Sequence, residues 1–256
     1  MRKTALLTMA LAIAVPAAAF AQARAAADAA AAVAAPGRPK ASTDLDEVRK
    51  PAELLRFMGL KKGDRVLDYF AGTGYYSDLA ARAVGPRGHV VGWNPAGFAR
   101  NERVVAALKD VKARNPNAAF YSSPVTAIAL APNSFDFALL HLVYHDAYWE
   151  SAQFGLPRID PATVVRAIWD SMKPGGTVAV IDHVAAPGGD TRAVVEKLHR
   201  IDPAVVRADF ERAGFVLEAQ SDMLRVRQDD HSKNVFDPAI RGRTDRFVYR
   251  FRKPAR

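Results

Sequence analysis

Cysteine is missing from all 256 residues. This excludes a disulfide framework, a lipid-anchored cysteine and any zinc–thiolate centre. Long apolar runs are almost missing too: beyond the first twenty residues no segment is long and apolar enough to cross a bilayer. No internal repeat is present. Charge is not clustered either. The 36 Lys and Arg outnumber the 27 Asp and Glu for a net charge of +9, yet they are spread along the chain. They read as solvated faces of a soluble protein, and no nucleic-acid partner is assigned.

The first segment is unlike the rest. Arg2 and Lys3 precede an almost wholly apolar run, Thr4 to Phe20, that ends in Ala19-Phe20-Ala21. A short basic start, an apolar stretch and a small-x-small site describe a secretory signal peptide over residues 1–21. The expectation is export, to the periplasm in a bacterium, with no stable membrane insertion after cleavage; an uncleaved anchor or a cut after Ala23 are the alternatives. Export without disulfides is workable, because the remaining length can bury a full core. Residues 22–42 are alanine-rich and broken by Pro36, Gly37 and Pro39. They have little to bury and read as a flexible leader ahead of a single domain, residues 43–256.

From residue 43 strands alternate with amphipathic helices, the pattern of a mainly parallel sheet covered on both faces. Pro51 opens a helix to Met58, where the missing N–H costs nothing. Strands are expected at 65–70, 89–93, 118–121, 135–140, 177–182, 215–220 and 246–252. Helices are expected at 75–84, about 98–113, 161–172 and 203–213, the last capped by Asp202. Lys173-Pro174-Gly175-Gly176 reads as a turn.

The most informative run is Val66-Leu67-Asp68-Tyr69-Phe70-Ala71-Gly72-Thr73-Gly74-Tyr75-Tyr76. An apolar strand ends in a glycine-bearing loop that passes straight into a helix. Glycine belongs where the backbone takes positive φ, or where a ligand must touch bare main chain. A tight strand-to-helix turn without ligand would also explain two glycines. The dinucleotide motif wants a third glycine near Ser77 and an acidic end to the second strand, and neither is there.

The Gly72-Thr73-Gly74 core, Phe135-Asp136 opening the fourth strand and the Lys-Pro-Gly-Gly run before the fifth occur together. This set resembles class I S-adenosylmethionine-dependent methyltransferases over about residues 44–253. More narrowly it is similar to a poorly characterised bacterial group of exported members, through Arg49-Lys50-Pro51, Gly74-Tyr75-Tyr76, His145-Asp146, His199-Arg200-Ile201-Asp202 and the run Val235 to Gly242. The resemblance implies a three-layer α/β sandwich with a seven-stranded, mostly parallel, Rossmann-like sheet whose last strand is antiparallel. It implies S-adenosyl-L-methionine as cofactor, lined by Asp68, Phe70, Ala71, Gly72 and Gly74, by Asn94, and by Leu140 and His141. Three places depart from the family pattern. Ser122-Ser123-Pro124 stands where an acidic residue is usual after the third strand, which leaves the adenine contact unassigned. Phe70 stands where the loop's first glycine is usual. Asn94 stands where a carboxylate usually takes the ribose hydroxyls, a substitution expected to weaken that contact by about 1 kcal/mol or more.

Ligands of open α/β sheets bind beyond the carboxyl ends of the strands. That rim should gather His141, His145 and Asp146, then Asp182 and His183, then His199, Arg200 and Asp202, and finally Asp229, Asp230, His231 and Asp237. Only His89 of six histidines points to the other rim. Taken singly, a His or Asp beside a helix start is more often a cap; taken together they suggest a site. Methyl transfer is an in-line displacement governed by positioning, with a base needed only for an acceptor that must lose a proton. His145, oriented by Asp146 or Asp182, is the first candidate base, and His183 the second. Tyr75, Tyr144, His199, Asp202 and His231 are candidate substrate contacts, and Tyr76 and Trp149 could add aromatic wall. No ligand spacing identifies a metal.

The expected activity is therefore methyl transfer to an unidentified small molecule. Two other classes stay open: an exported, non-catalytic binding protein with this fold, and a metal-dependent protein using the His/Asp rim. Acceptor and oligomeric state are not readable from the sequence.

Overall fold

The structure, a computed structural model, describes residues 24–255. The signal-peptide segment expected at 1–21 lies outside the described residues. In chain order the elements are α1 (Ala29–Ala34), α2 (Lys40–Thr43), α3 (Asp46–Arg49), α4 (Pro51–Phe57), β1 (Arg65–Tyr69), α5 (Tyr75–Val84), β2 (His89–Pro95), α6 (Glu102–Arg114), β3 (Ala118–Ser123) and β4 (Phe135–His141). They continue as α7 (Pro161–Ser171), β5 (Met172–His183), α8 (Thr191–Leu198), α9 (Pro203–Arg212), β6 (Val216–Ser221) and β7 (Arg246–Arg252).

The seven strands form one sheet in the order β3-β2-β1-β4-β5-β7-β6. β1 is parallel to β2 and β4, and β5 to β4, whereas β7 runs antiparallel to both β5 and β6. The order reverses between β1 and β4, which places the switch-point crevice at the ends of those strands, beside Phe70 and His141. The central strands are buried on both faces, and two apolar clusters cover them. One joins Leu67, Trp93 and Leu140 to Val164, Ile168, Val206 and Phe210 of α7 and α9. The other joins Val66, Phe137 and Ile181 to Leu54, Leu55, Tyr76 and Leu79 of α4 and α5.

Local differences from the expected elements have visible causes. Asn101 caps α6 by accepting from the N–H groups of Arg103 and Val104 at 3.0 and 3.3 Å, so Phe98–Arg100 is a separate 3-10 turn. The Lys-Pro-Gly-Gly run is not a turn between elements but an irregularity within β5, where the register with β4 shifts after Phe135. Helix α8 was not anticipated, although Asp190 caps it by accepting from Ala193 N–H at 2.8 Å.

The stretch expected to be a leader is packed from residue 24 onward. Ala26 bridges Lys61, and Ala29 and Ala32 are buried in the second cluster. Arg24 reaches Asp64 and Asp136 at 2.9 Å each. Arg38 binds both carboxylate oxygens of Asp46, at 2.6 and 2.7 Å. Alanine at helical spacing supplies more packing surface than its composition suggests. Among the described residues no helix is long and apolar enough to span a membrane.

Candidate functional site

β1 ends at Tyr69, and the five residues Phe70 to Gly74 turn the chain into α5. Phe70 takes φ 60°, a left-handed conformation that costs a non-glycine residue about 1–2 kcal/mol. The position thus keeps a glycine-like backbone while carrying a ring, and that ring lies edge-on to Phe98 at 4.6 Å. Ala71 N–H donates to Trp93 O at 3.0 Å, tying the loop to β2. Gly72 has φ 57°, and a Cβ added there would meet nothing within 4 Å. Phe70 therefore leaves the space over Gly72 clear. Gly74 serves another purpose: with φ 81°, its Cβ position lies 3.0 Å from Leu108 and 3.2 Å from Val111 of α6. Its bare backbone admits the close approach of α6.

Asn94, expected to face the ribose, turns into the loop. Its Oδ1 accepts from Gly72 N–H at 2.8 Å and its Nδ2 donates to Gly72 O at 3.1 Å. The residue is buried. Asp68, also buried, accepts from Ser77 Oγ at 2.6 Å, and burial raises its pKa to about 6 despite that hydrogen bond. The Leu140 side chain is fully buried in the core beneath α7, so only its main chain can border a ligand. His141 turns its ring to Tyr76, with centroids 4.6 Å apart. Its Nε2 and the Tyr76 hydroxyl are both buried without a hydrogen-bond partner.

Further along the rim, His145 is locked beneath the surface. Asp182 Oδ2 accepts from its backbone N–H at 2.9 Å, and Asp182 Oδ1 pairs with its Nδ1 at 2.8 Å. Burial, the largest influence, would lower the His145 pKa, but Asp182 and then Asp146 outweigh it and raise it to about 9. The two carboxylates thus favour the imidazolium form of His145, which works against its expected role as a base. Asp146, 3.5 Å from its Nε2, is raised to about 6 by burial.

Two neutral histidines flank that cation, with ring centroids 6.0 Å (His183) and 5.6 Å (His199) from it. Burial and then the His145 charge push His183 well below the usual histidine value. Its Nδ1 meets Thr244 Oγ1 at 2.7 Å. Burial likewise lowers His199, whose Nδ1 lies 2.9 Å from Val195 O. Trp149 and Phe236 sit edge-on to His199 at 4.6 and 5.1 Å. Trp149 in turn touches Phe154, which stacks on Phe98. An aromatic band therefore runs from the β1 loop to Phe236.

The other candidate substrate contacts have structural duties. Tyr75 donates to Asp46 Oδ1 at 2.6 Å and is tied to the N-terminal segment. Tyr144 is wholly buried and donates to Asp209 at 2.7 Å. Asp202 caps α9, accepting from Ala204 N–H at 2.8 Å. His231 pairs with Asp245 at 3.0 Å beside Arg225, lining a separate polar cavity of about 630 Å³ with Asp222 and Arg227. Asp229 is held by a fully buried Arg200 through two 2.9 Å bonds. Asp230 and Asp237 accept from nearby backbone N–H groups, of Ser232 and Ala239. Sequence reasoning missed Thr244 and Arg246, because nothing at β7's start announces that it returns beside His183. Among the described residues no group of three His, Asp or Glu is placed to hold a metal ion.

Residues 60–235 match the family model described as a methyltransferase domain. The demethylmenaquinone methyltransferase of Listeria monocytogenes is 30% identical over 131 residues, which is 51% of this chain and 49% of that one. The chain thus spans about half the length of the curated relatives it matches first. Among solved structures, a SAM-dependent methyltransferase from Aquifex aeolicus superposes with a TM-score of 0.54 at 20% identity, over 83% of this chain and 98% of that one. The [4+2]-cyclase SpnF superposes with 0.53 at 17% identity, over 84% and 82%.

Proposed function

We propose that this chain, which belongs to the methyltransferase-domain family, binds S-adenosylmethionine over Gly72 and transfers its methyl group to a small, planar acceptor at the histidine rim. The carrying observation is the open space above a bare, left-handed Gly72 at the switch point of a methyltransferase-type sheet. The fold by itself does not name the reaction, since one structural neighbour is named a cyclase.

The bound cofactor would supply an electrophilic methyl group on a sulfonium. The chain's own residues supply the rest. Asp68, the Gly72 main chain and His141 border the cofactor, while Asn94 stiffens the loop beneath it. The aromatic band offers flat apolar surface, with Trp149, Phe154 and Phe236 suited to a ring. A named activity on a quinone precursor in the Listeria relative supports the same kind of acceptor. His183, neutral at physiological pH, takes the acceptor's proton. His145, already charged, stabilises the anion left behind. Cleavage of residues 1–21 and export remain part of the reading, resting on the basic start and apolar run of the sequence.

The test is titration calorimetry with S-adenosylhomocysteine, followed by assays with quinol-type and simple phenolic acceptors. Micromolar binding and methylation of a ring hydroxyl or ring carbon are expected. No heat at millimolar nucleoside would end the proposal.

A further inference from the structure

The connection from β6 to β7 encloses a polar cavity of about 630 Å³ that the proposed reaction does not use. Two buried carboxylates line it, and the protein itself occupies both. Asp229 holds the Arg200 guanidinium through two 2.9 Å bonds and accepts from Asp245 N–H at 2.7 Å. Asp245 accepts from Arg225 Nε at 2.8 Å, from Val226 N–H at 2.7 Å and from His231 Nε2 at 3.0 Å. The groups left over on the wall are different in kind. Arg225 bonds through Nε alone, which leaves its two terminal amino groups. Arg227 and Gln228 also line the cavity, and among the described residues their side chains make no hydrogen bond or ion pair. His231 gives its Nε2 proton to Asp245, because a carboxylate only accepts. Asp222 stands exposed at the rim without a side-chain hydrogen bond among the described residues, and its charge reaches Arg225.

We propose that this cavity is an oxyanion site for a phosphate group, inorganic or carried on a small monoester, held by the guanidiniums of Arg225 and Arg227. Guanidinium forks match the oxygen geometry of phosphate and make charge-assisted bonds to it. The Gln228 amide and the His231 ring complete the polar wall. The buried carboxylates do not oppose the anion, since Arg200 and Arg225 already answer their charges. An apolar ligand would cover these donors without pairing them. The volume exceeds what phosphate fills, which leaves room for a short organic group behind it. Asp222 is the one rim charge set against the anion, and it gives the proposal a test of sign. The site stands apart from the histidine rim, and its ligand is independent of whether S-adenosylmethionine is the cofactor.

The experiment is titration calorimetry of the full chain with inorganic phosphate and with glycerol 3-phosphate, for the wild-type protein, Arg227→Gln and Asp222→Asn. The wild-type protein should bind at least one of the two with a dissociation constant of about 1 mM or tighter, and the tighter one names the source of the phosphate. Arg227→Gln should weaken that binding about tenfold. Asp222→Asn, which removes the opposing charge, should tighten it about threefold. Both residues are exposed, so melting temperatures without phosphate should stay within about 1–2 °C of the wild-type value. No binding of either compound at about 10 mM overturns the proposal. Binding that neither substitution moves is adventitious and overturns it as well. S-adenosylhomocysteine affinity should be the same in all three proteins, and its absence from all three counts against the proposed function alone.

Discussion

Asn94 and Gly72 hold each other by two hydrogen bonds, 2.8 and 3.1 Å long, one in each direction. The side-chain amide mimics a strand partner and fixes the φ 57° conformation of the glycine. A carboxylate at this position could accept from Gly72 N–H but could not donate to Gly72 O, and the two oxygens would repel. Asn94→Asp should therefore destabilise the fold by about 1–3 kcal/mol, lowering Tm by about 2–4 °C per kcal/mol. It should not tighten S-adenosylhomocysteine. Tighter binding at an unchanged Tm would mean that the side chain faces the ribose after all.

His145 gives a pH signature with a definite sign. Its pKa rises from 6.5 to about 9 because Asp182 and Asp146 outweigh burial. A group with a raised folded pKa stabilises fully below its unfolded value, so this contribution is complete below about pH 6.5. It fades as pH climbs through about 9, and amounts to on the order of 3 kcal/mol. Proton NMR of the His145 ring should show it charged until about pH 9. In Asp182→Asn burial dominates, and the ring should be neutral at pH 7. A His145 midpoint near 6.5 in the wild-type protein would remove the imidazolium from the account.

Much of this architecture was legible beforehand because it rests on local patterns. The strand–glycine loop–helix run and the Pro51, Pro161 and Asp202 helix starts appear where expected, as does the final alternating strand. The site was legible only in outline. Five rim histidines read alike in sequence, but long-range partners separate them: Asp182 charges His145, Thr244 holds His183, and Asp245 draws His231 away to another cavity. Tyr144 and Tyr75 looked like substrate wall because nothing near them in sequence reveals Asp209 or Asp46 as partners.

Gly74 separates packing from binding. Gly74→Ala places a methyl group 3.0 Å from Leu108 and 3.2 Å from Val111 at φ 81°. Strain and crowding together should cost about 1–3 kcal/mol. Nucleoside affinity should follow only through the loosened fold. Chemical denaturation gives the stability loss. A large affinity loss at wild-type stability would return Gly74 to the ligand.

Arg200 is a structural keystone of the β6–β7 connection. Its guanidinium is fully buried and grips Asp229, Val184 O and Lys233 O. Arg200→Ala strands a buried carboxylate and should destabilise by about 3–5 kcal/mol, seen as a lower denaturation midpoint. A stability within 1 kcal/mol of wild type would contradict the packing described (roughly the scale of a surface change).

The central claim is that a nucleoside ligand rests on the bare main chain of Gly72. The most direct measurement is the affinity of Gly72→Val for S-adenosylhomocysteine, read by calorimetry beside a melting curve. A Cβ there meets no protein atom within 4 Å, so the variant should stay folded, with some strain from its left-handed φ, and lose binding by about a hundredfold or more (roughly 3 kcal/mol). A folded Gly72→Val that binds as tightly as wild type would contradict the account.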